Sequence, residues 1–116
     1  MTFSLFQITY DSLVVSTGIK NDYEKIDGLK AALEDDNCPV GTIYDRNYAV
    51  KTDRIMSEIK SGEVLFTQPN CPIKCGGAPQ KVMWLREEQW RKQGVRDAIT
   101  ITYLNNLPGY VLQPKP

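Results

Sequence analysis

Histidine is absent from this chain of 116 residues, and cysteine occurs only three times. The lack of histidine removes the most common general base and a common zinc ligand. An odd number of cysteines in a short chain argues against the disulfide framework of small secreted domains, so reduced or transiently paired thiols are expected. Histidine chemistry is therefore excluded, and a disulfide-stapled fold is disfavoured.

The chain also lacks net charge and long apolar runs. Fourteen Lys and Arg residues balance fourteen Asp and Glu residues, so no electrostatic footprint for nucleic acid or an anionic membrane is expected. Apolar runs such as Leu13-Val14-Val15 are far shorter than the roughly 18 residues that span a bilayer. The first residues resemble neither a secretory signal nor a transit peptide. We expect no nucleic-acid partner, no membrane-spanning segment and no targeting signal in this chain.

The first part of the chain predicts one strand and an irregular connection. Residues 8–18, ITYDSLVVSTG, are rich in β-branched and aromatic residues and stop at glycine, which predicts a buried strand that ends in a tight turn. Phe3, Leu5 and Phe6 predict a short partner strand before it. Glycines, a proline and acidic clusters interrupt residues 19–47, so only a turn of helix is expected there, near residues 29–33.

The second part predicts a helix and then a βαβ unit, which makes the fold class α/β. Apolar residues at helical spacing predict an amphipathic helix over residues 50–60. A strand over residues 63–67, a helix over 79–93 that Gly94 terminates, and a strand over 98–104 follow. Strands joined in this way should run parallel with a right-handed crossover. The loop between the first of these strands and its helix then lies where α/β proteins bind ligands.

That loop, NCPIKCGGAPQK over residues 70–81, leaves four interpretations open. A structural zinc site is disfavoured, because three residues separate Cys71 from Cys75 and only Cys38 adds a sulfur. A phosphate loop suits glycines before a helix, but the G-x-G-x-x-G fingerprint is absent. Spacing alone favours a structural turn with cysteines as small fillers. A redox centre is the fourth, because a cysteine at a helix N-terminus beside Lys74 should favour the nucleophilic thiolate.

Residues 66–85, which include FTQP and PIKCGGAPQKVMWL, resemble the sulfide:quinone oxidoreductases of the mitochondrial type. The family pattern P-[VI]-K-C-[AG]-G-A-P-Q-K continues into a helix that ends R-K-x-G-x-R, which RKQGVR of residues 91–96 matches. Residues 8–29 are similar to a flavin-domain strand of that family and the segment behind it, and residues 47–52 to a connecting stretch. The resemblance thus extends over nearly the whole chain.

The resemblance implies a partial Rossmann-like flavoprotein fold. It makes residues 1–47 the end of an FAD-domain-like segment with an irregular connection, and residues 48–116 the βαβ unit, with parallel strands, of a second nucleotide-binding-like domain. The chain then looks like an internal fragment. The glycine fingerprint for FAD, a second redox cysteine and the part of the family that meets quinone and membrane are missing from it.

The activity that the resemblance implies is oxidation of hydrogen sulfide to a cysteine persulfide, with electrons passing through FAD to ubiquinone. Cys75 matches one of the two redox cysteines and would hold the persulfide sulfur until a small thiol or sulfite accepts it. Thr17 and Gly18 match a position where such flavoproteins bring backbone close to FAD, and no metal is implied. The family also implies association with the mitochondrial inner membrane, through regions absent from this chain.

Two other functions remain open from the sequence. A non-catalytic α/β module for binding or dimerisation, with a vestigial Cys75, predicts a thiol that reacts no faster than Cys38. A stand-alone sulfur carrier predicts a persulfide on Cys75 without flavin. Aromatic residues more often fill cores than bind ligands, so no role is assigned to Tyr10, Tyr23, Tyr44, Tyr48, Trp84 or Trp90.

Overall fold

The computed structural model describes residues 7–69 and 73–105. Its elements in chain order are helices α1 (Leu29–Glu34) and α2 (Arg46–Glu58), strand β1 (Gly62–Gln68), helix α3 (Ala78–Lys92) and strand β2 (Ile99–Asn105), with 3-10 turns at Tyr23–Lys25 and Arg96–Ala98. The two strands are parallel neighbours, and their register pairs Gly62 with Ile99 and Gln68 with Asn105. The predicted α/β class and the parallel βαβ unit are confirmed.

The strand predicted over residues 8–18 is wrong. Every residue from Ile8 to Gly18 is exposed, and Val14 keeps 86% of its surface in solvent. A buried strand needs neighbouring strands for its backbone groups and a layer that covers its apolar side chains. Neither strand of the described sheet pairs with this segment, so its β-rich composition is a local preference that finds no pairing strand within residues 7–69 and 73–105. The partner strand predicted at Phe3, Leu5 and Phe6 lies outside the described residues.

Capping residues determine where α2 begins and where α3 ends. α2 begins four residues before its predicted start, because the Asp45 carboxylate accepts a hydrogen bond from the Asn47 N–H at 2.9 Å. α3 ends in a Schellman motif. In it the Val95 N–H donates to the Trp90 carbonyl at 3.0 Å, and Gly94 takes a left-handed conformation with φ of 71°. The predicted terminator is therefore confirmed.

The core lies between α3 and one face of the sheet. Met83 and Trp90 of α3 are fully buried and pack with the inward side chains of β2, among them Ile101 and Tyr103. Alternate residues of β2 are exposed, as the two-residue period of a strand requires. The Trp90 indole N–H donates to the Met56 carbonyl at 3.1 Å, which attaches α2 to the same core.

The opposite face of the sheet is uncovered within the described part of the chain. Leu65 of β1 and Leu104 of β2 are 57% and 54% exposed there. Parallel sheets in α/β proteins are normally covered on both faces. The described residues therefore form one layer fewer than a complete doubly wound fold.

A buried carboxylate joins α3 to the turn that leads into β2. Glu87 is 4% exposed, and its Oε1 accepts hydrogen bonds from Arg91 Nη2 at 2.7 Å and Arg96 Nε at 3.1 Å. Arg96 also donates to the carbonyl of Ile99, the first residue of β2, at 2.7 Å. Burial raises the pKa of Glu87, but the two arginines outweigh it and hold the pKa below its ordinary value of 4.5. The ionised carboxylate therefore belongs to the folded state.

We expect Glu87→Gln to lower the free energy of unfolding at neutral pH by about 2 kcal/mol, because it leaves the half-buried Arg96 guanidinium without its counter-charge. A depressed folded-state pKa means that the contribution of Glu87 is present above the unfolded pKa and is lost as the pH falls through the folded one. The difference between wild type and variant should therefore shrink in acid. Urea unfolding at neutral and acidic pH measures it.

Glu88→Gln is the matched control, because Glu88 is 59% exposed and pairs only with Lys92 among the described ion pairs. Exposed pairs of this kind contribute little. An equal loss of stability in the Glu88 variant would contradict the role assigned to Glu87.

Candidate functional site

Cys75 lies in the loop between β1 and α3, at the carboxyl edge of the sheet. Its residue is exposed, and it comes two positions before Gly77, the N-cap of α3. The Ala78 N–H donates to the Cys75 carbonyl at 3.2 Å and closes a short turn. Cys38 is half-buried, and Cys71 lies outside the described residues. The structure thus carries the Cys75 thiol on a turn just outside the helix.

A tyrosine to which the sequence assigned no role contacts this turn. The Tyr44 hydroxyl donates to the Cys75 carbonyl at 2.6 Å. In the opposite direction, Lys74 Nζ donates to the Tyr44 carbonyl at 3.2 Å, and Asn21 Nδ2 donates to the same carbonyl at 2.9 Å. The side chain and the backbone of Tyr44 are both engaged. Two hydrogen bonds therefore join the loop before α2 to the Cys75 turn.

A buried threonine of α2 holds the loop that carries Tyr44. Thr52 is 7% exposed, and its hydroxyl accepts a hydrogen bond from the Thr42 N–H at 2.9 Å. Gly41 permits this approach, because a Cβ there would come within 2.5 Å of the Thr52 hydroxyl oxygen. The Tyr44 N–H in turn donates to Thr42 Oγ1 at 3.3 Å. The position of Tyr44 thus follows from close contact between a glycine and α2.

Buried polar side chains near the carboxyl ends of the strands form a pair. Gln68 closes β1 and is 7% exposed, while Tyr103 of β2 is 2% exposed. The Tyr103 hydroxyl donates to Gln68 Oε1, so the buried donor and the buried acceptor are each provided with a hydrogen-bond partner. Burial raises the pKa of Tyr103 above 10.0. Gln68 comes two residues after Phe66, on the inward face of β1. A polar residue at a position where the strand pattern predicts an apolar one is the sequence signal that could have identified the pair.

Tyr44 is coupled electrostatically to Cys75. Burial is the largest cause that raises the pKa of Tyr44 above its ordinary value of 10.0; the charge of a Cys75 thiolate and then that of an ionised Tyr103 raise it further. A tyrosine hydroxyl is protonated at physiological pH even at its ordinary pKa, and the raised pKa extends to more alkaline pH the range in which Tyr44 can donate to the Cys75 carbonyl. Because Tyr44 and Cys75 are 31 positions apart, no local pattern in the sequence identifies this neighbour.

Thr17 and Gly18, the predicted flavin contacts, lie in a different environment. Gly18 has a φ of 71°, so a glycine turn is present there. Both residues are exposed, and a Cβ added to Gly18 would meet no atom within 4 Å. A flavin held against backbone requires a cradle, and the described residues build none around this glycine. They do not by themselves fit FAD, and no described contact joins them to Cys75.

The structure has two open cavities, and residues 73–77 line neither of them. One of about 270 Å³ lies between α2 and α3 and is lined in part by Arg86. The other, of about 390 Å³, is lined in part by Arg54 and Glu58 of α2. Across residues 7–69 and 73–105, no group of three or more metal-ligating side chains is assembled, and no helix is long and apolar enough to cross a membrane.

Comparison with curated proteins finds relatives that share one description. The chain is 44% identical over 102 residues to the mitochondrial sulfide:quinone oxidoreductase of Schizosaccharomyces pombe, a match that covers 88% of the chain and 22% of the relative. Mitochondrial sulfide:quinone oxidoreductases of Mus musculus and Dictyostelium discoideum are 41% and 39% identical over 104 and 98 residues, with 84% of the chain and 21% of each relative covered. The chain thus spans about a fifth of the length of these relatives. No family model matches it.

We expect Gly41→Ala to destabilise the fold by about 1–3 kcal/mol, because its methyl group would overlap the buried Thr52 hydroxyl. The overlap should also weaken the placement of Tyr44. Urea unfolding measures the loss, and Gly76→Ala is the control, since a Cβ at Gly76 meets nothing within 4 Å. Equal stability of the two variants would contradict the close approach.

We expect Cys75→Ser to lower the pKa of Tyr44, because the thiolate charge beside the phenol is removed. The pKa should stay above 10.0, since burial is the larger cause of the shift and the backbone carbonyl that accepts from Tyr44 remains. Ultraviolet titration of the phenolates measures the change, with Tyr44→Phe to assign the transition. An unchanged transition would show that the two groups are not coupled.

Proposed function

Because the chain is homologous to a segment of the mitochondrial sulfide:quinone oxidoreductases, we propose that it serves in the oxidation of hydrogen sulfide, with Cys75 as the thiol that receives the sulfur. The observation that carries this proposal is an exposed thiol on a defined turn at the carboxyl edge of a parallel strand pair. This edge is where open α/β sheets bind their ligands. The non-catalytic module is not favoured, since these relatives are named as oxidoreductases.

The step assigned to Cys75 is thiol–disulfide exchange. Hydrosulfide attacks the Cys75 sulfur of a disulfide, the S–S bond breaks, the partner sulfur leaves as a thiolate, and Cys75 becomes a persulfide. The disulfide is the oxidant, because it takes up the electron pair. A small thiol or sulfite then attacks the outer sulfur, which leaves with the acceptor and returns Cys75 to its thiolate. The resemblance assigns the second cysteine of the disulfide to a later segment of the family, outside the matched residues.

Reoxidation of the two thiols needs an electron acceptor. The resemblance assigns this role to FAD and then to ubiquinone, so both are part of the proposal for the whole enzyme. Thr17 and Gly18 would contribute backbone to such a flavin site only together with residues beyond those described. Location in mitochondria, at the inner membrane, is proposed on the names of the relatives and on the same resemblance.

The proposed domain division follows the same resemblance. Residues 1–47 would end the FAD-binding domain, and residues 48–116 would contain the first βαβ unit of the second. The two parts are in contact through Lys51, whose ammonium donates to the carbonyls of Ala32 at 2.8 Å, Leu33 at 3.1 Å and Asp35 at 2.6 Å. A cation is stabilised by the negative end of a helix dipole at its C-terminus, so Lys51 joins α2 to the end of α1 across the proposed boundary.

The test uses the full chain with Cys38 and Cys71 replaced by serine. Cys75 is converted to a mixed disulfide with 5-thio-2-nitrobenzoate, and hydrosulfide is added without flavin. We expect release of the nitrobenzoate thiolate and a protein mass increased by one sulfur atom on Cys75. The folded chain should react about tenfold faster than the same chain unfolded in urea, because fixed geometry favours in-line attack.

A variant that keeps Cys38 as its single cysteine is the second control. It carries the same mixed disulfide with 5-thio-2-nitrobenzoate, but at a position outside the Cys75 turn. Equal rates for Cys75 in the folded and the unfolded chain, or a faster reaction at Cys38, would contradict the role proposed for Cys75.

A further inference from the structure

We propose that Tyr44 and Lys74 form a clamp that positions the Cys75 turn for sulfur transfer, an inference that rests on the function proposed above. Tyr44 donates to the Cys75 carbonyl at 2.6 Å, and Lys74 Nζ donates to the Tyr44 carbonyl at 3.2 Å. Each segment thus supplies one side-chain donor and one backbone acceptor. Both residues are positioning residues, because the bonds that they make reach backbone oxygens and not the sulfur.

Side-chain packing does not hold the Cys75 turn in place, so its hydrogen bonds determine its position. Residues 74–77 are all exposed. A Cβ added at Gly76 or Gly77 would meet no atom within 4 Å, so no described side chain packs closely against these two glycines. Two adjacent glycines also leave the chain many conformations. The clamp is therefore the described tertiary contact that restrains where Cys75 lies relative to α2.

The loop that carries Tyr44, in contrast, is held by several hydrogen bonds. The Tyr44 carbonyl also accepts from Asn21 Nδ2 at 2.9 Å, and the Tyr44 N–H donates to Thr42. Thr42 is bound to the buried Thr52 of α2. An exposed glycine turn is thus attached to a hydrogen-bonded loop by Tyr44, whose side chain and backbone are all bonded.

Orientation matters for the step proposed for Cys75. Exchange at sulfur proceeds by attack on the S–S bond, and small errors in the placement of reacting atoms cost large factors in rate. The two bonds of the clamp run in opposite directions between the segments, so together they restrain both the distance and the rotation of the turn. Loss of either bond should slow sulfur transfer without unfolding the chain.

The test repeats the reaction of hydrosulfide with the Cys75 mixed disulfide in clamp variants. Tyr44→Phe keeps the ring and removes only the hydroxyl, and Lys74→Met keeps the aliphatic chain and removes the donor. Each should slow persulfide formation about fivefold, as loss of one hydrogen bond to a fixed group predicts. Lys74→Arg should restore the rate, because it keeps a donor. The double variant should lose less than the product of the single effects, because the two bonds act as one unit.

Tyr48→Phe is the matched control, since Tyr48 packs edge to face on Tyr23 at 5.9 Å and is not part of the clamp. The urea midpoint and the alkylation rate of Cys38, measured in chains that keep Cys38, should be the same in every clamp variant as in wild type. A parallel change in both quantities would show a merely structural role and overturn the clamp. A wild-type rate in Tyr44→Phe or in Lys74→Met would also overturn it. The function proposed for Cys75 would survive these results, whereas loss of the advantage of the folded wild-type chain over the unfolded one would defeat both.

Discussion

The burial of Trp90 is the interaction on which the rest of this structure depends. Its ring is fully buried among the side chains that α3 and β2 turn toward each other, and its N–H donates to the Met56 carbonyl of α2. Its own carbonyl accepts the bond from Val95 that ends α3. Aromatic rings bury the largest apolar area per residue, and a buried indole N–H requires a partner. One residue therefore joins both longer helices to the sheet.

The packing of this core determines the position of the Cys75 turn. Once α3 packs across the strands, the loop that precedes it lies at their carboxyl edge, and Cys75 lies there with it. α2 supplies the other half of the site, because Thr52 accepts the loop that carries Tyr44 only where Gly41 leaves room for its hydroxyl. The site is thus assembled from two separate stretches of chain that share no local pattern.

Sequence reasoning succeeded where periodicity and capping act within one element. The inward alternation of β2 and the glycine after α3 predicted those elements, and the K-C-G-G-A-P-Q-K run indicated the family. It failed at residues 8–18, where apolar β-branched residues have no described strand to pair with. It also missed Tyr44, because a hydrogen bond across 31 positions leaves no trace in either segment. The polar Gln68, two residues after Phe66 on the inward face of β1, is the one sequence signal for its buried pair with Tyr103.

The amino-acid sequence by itself determined the order of helices and strands from α2 to β2, the parallel crossover and the place of Cys75 before a helix, because side-chain period, capping and glycine conformation act over a few residues. Only the tertiary structure decided that segment 8–18 stays exposed, that Lys74 binds the Tyr44 carbonyl, and that Tyr44 binds the backbone of Cys75. These outcomes depend on which surfaces are available for burial and on hydrogen bonds between distant segments. Both are properties of the packed chain and not of any local stretch of it.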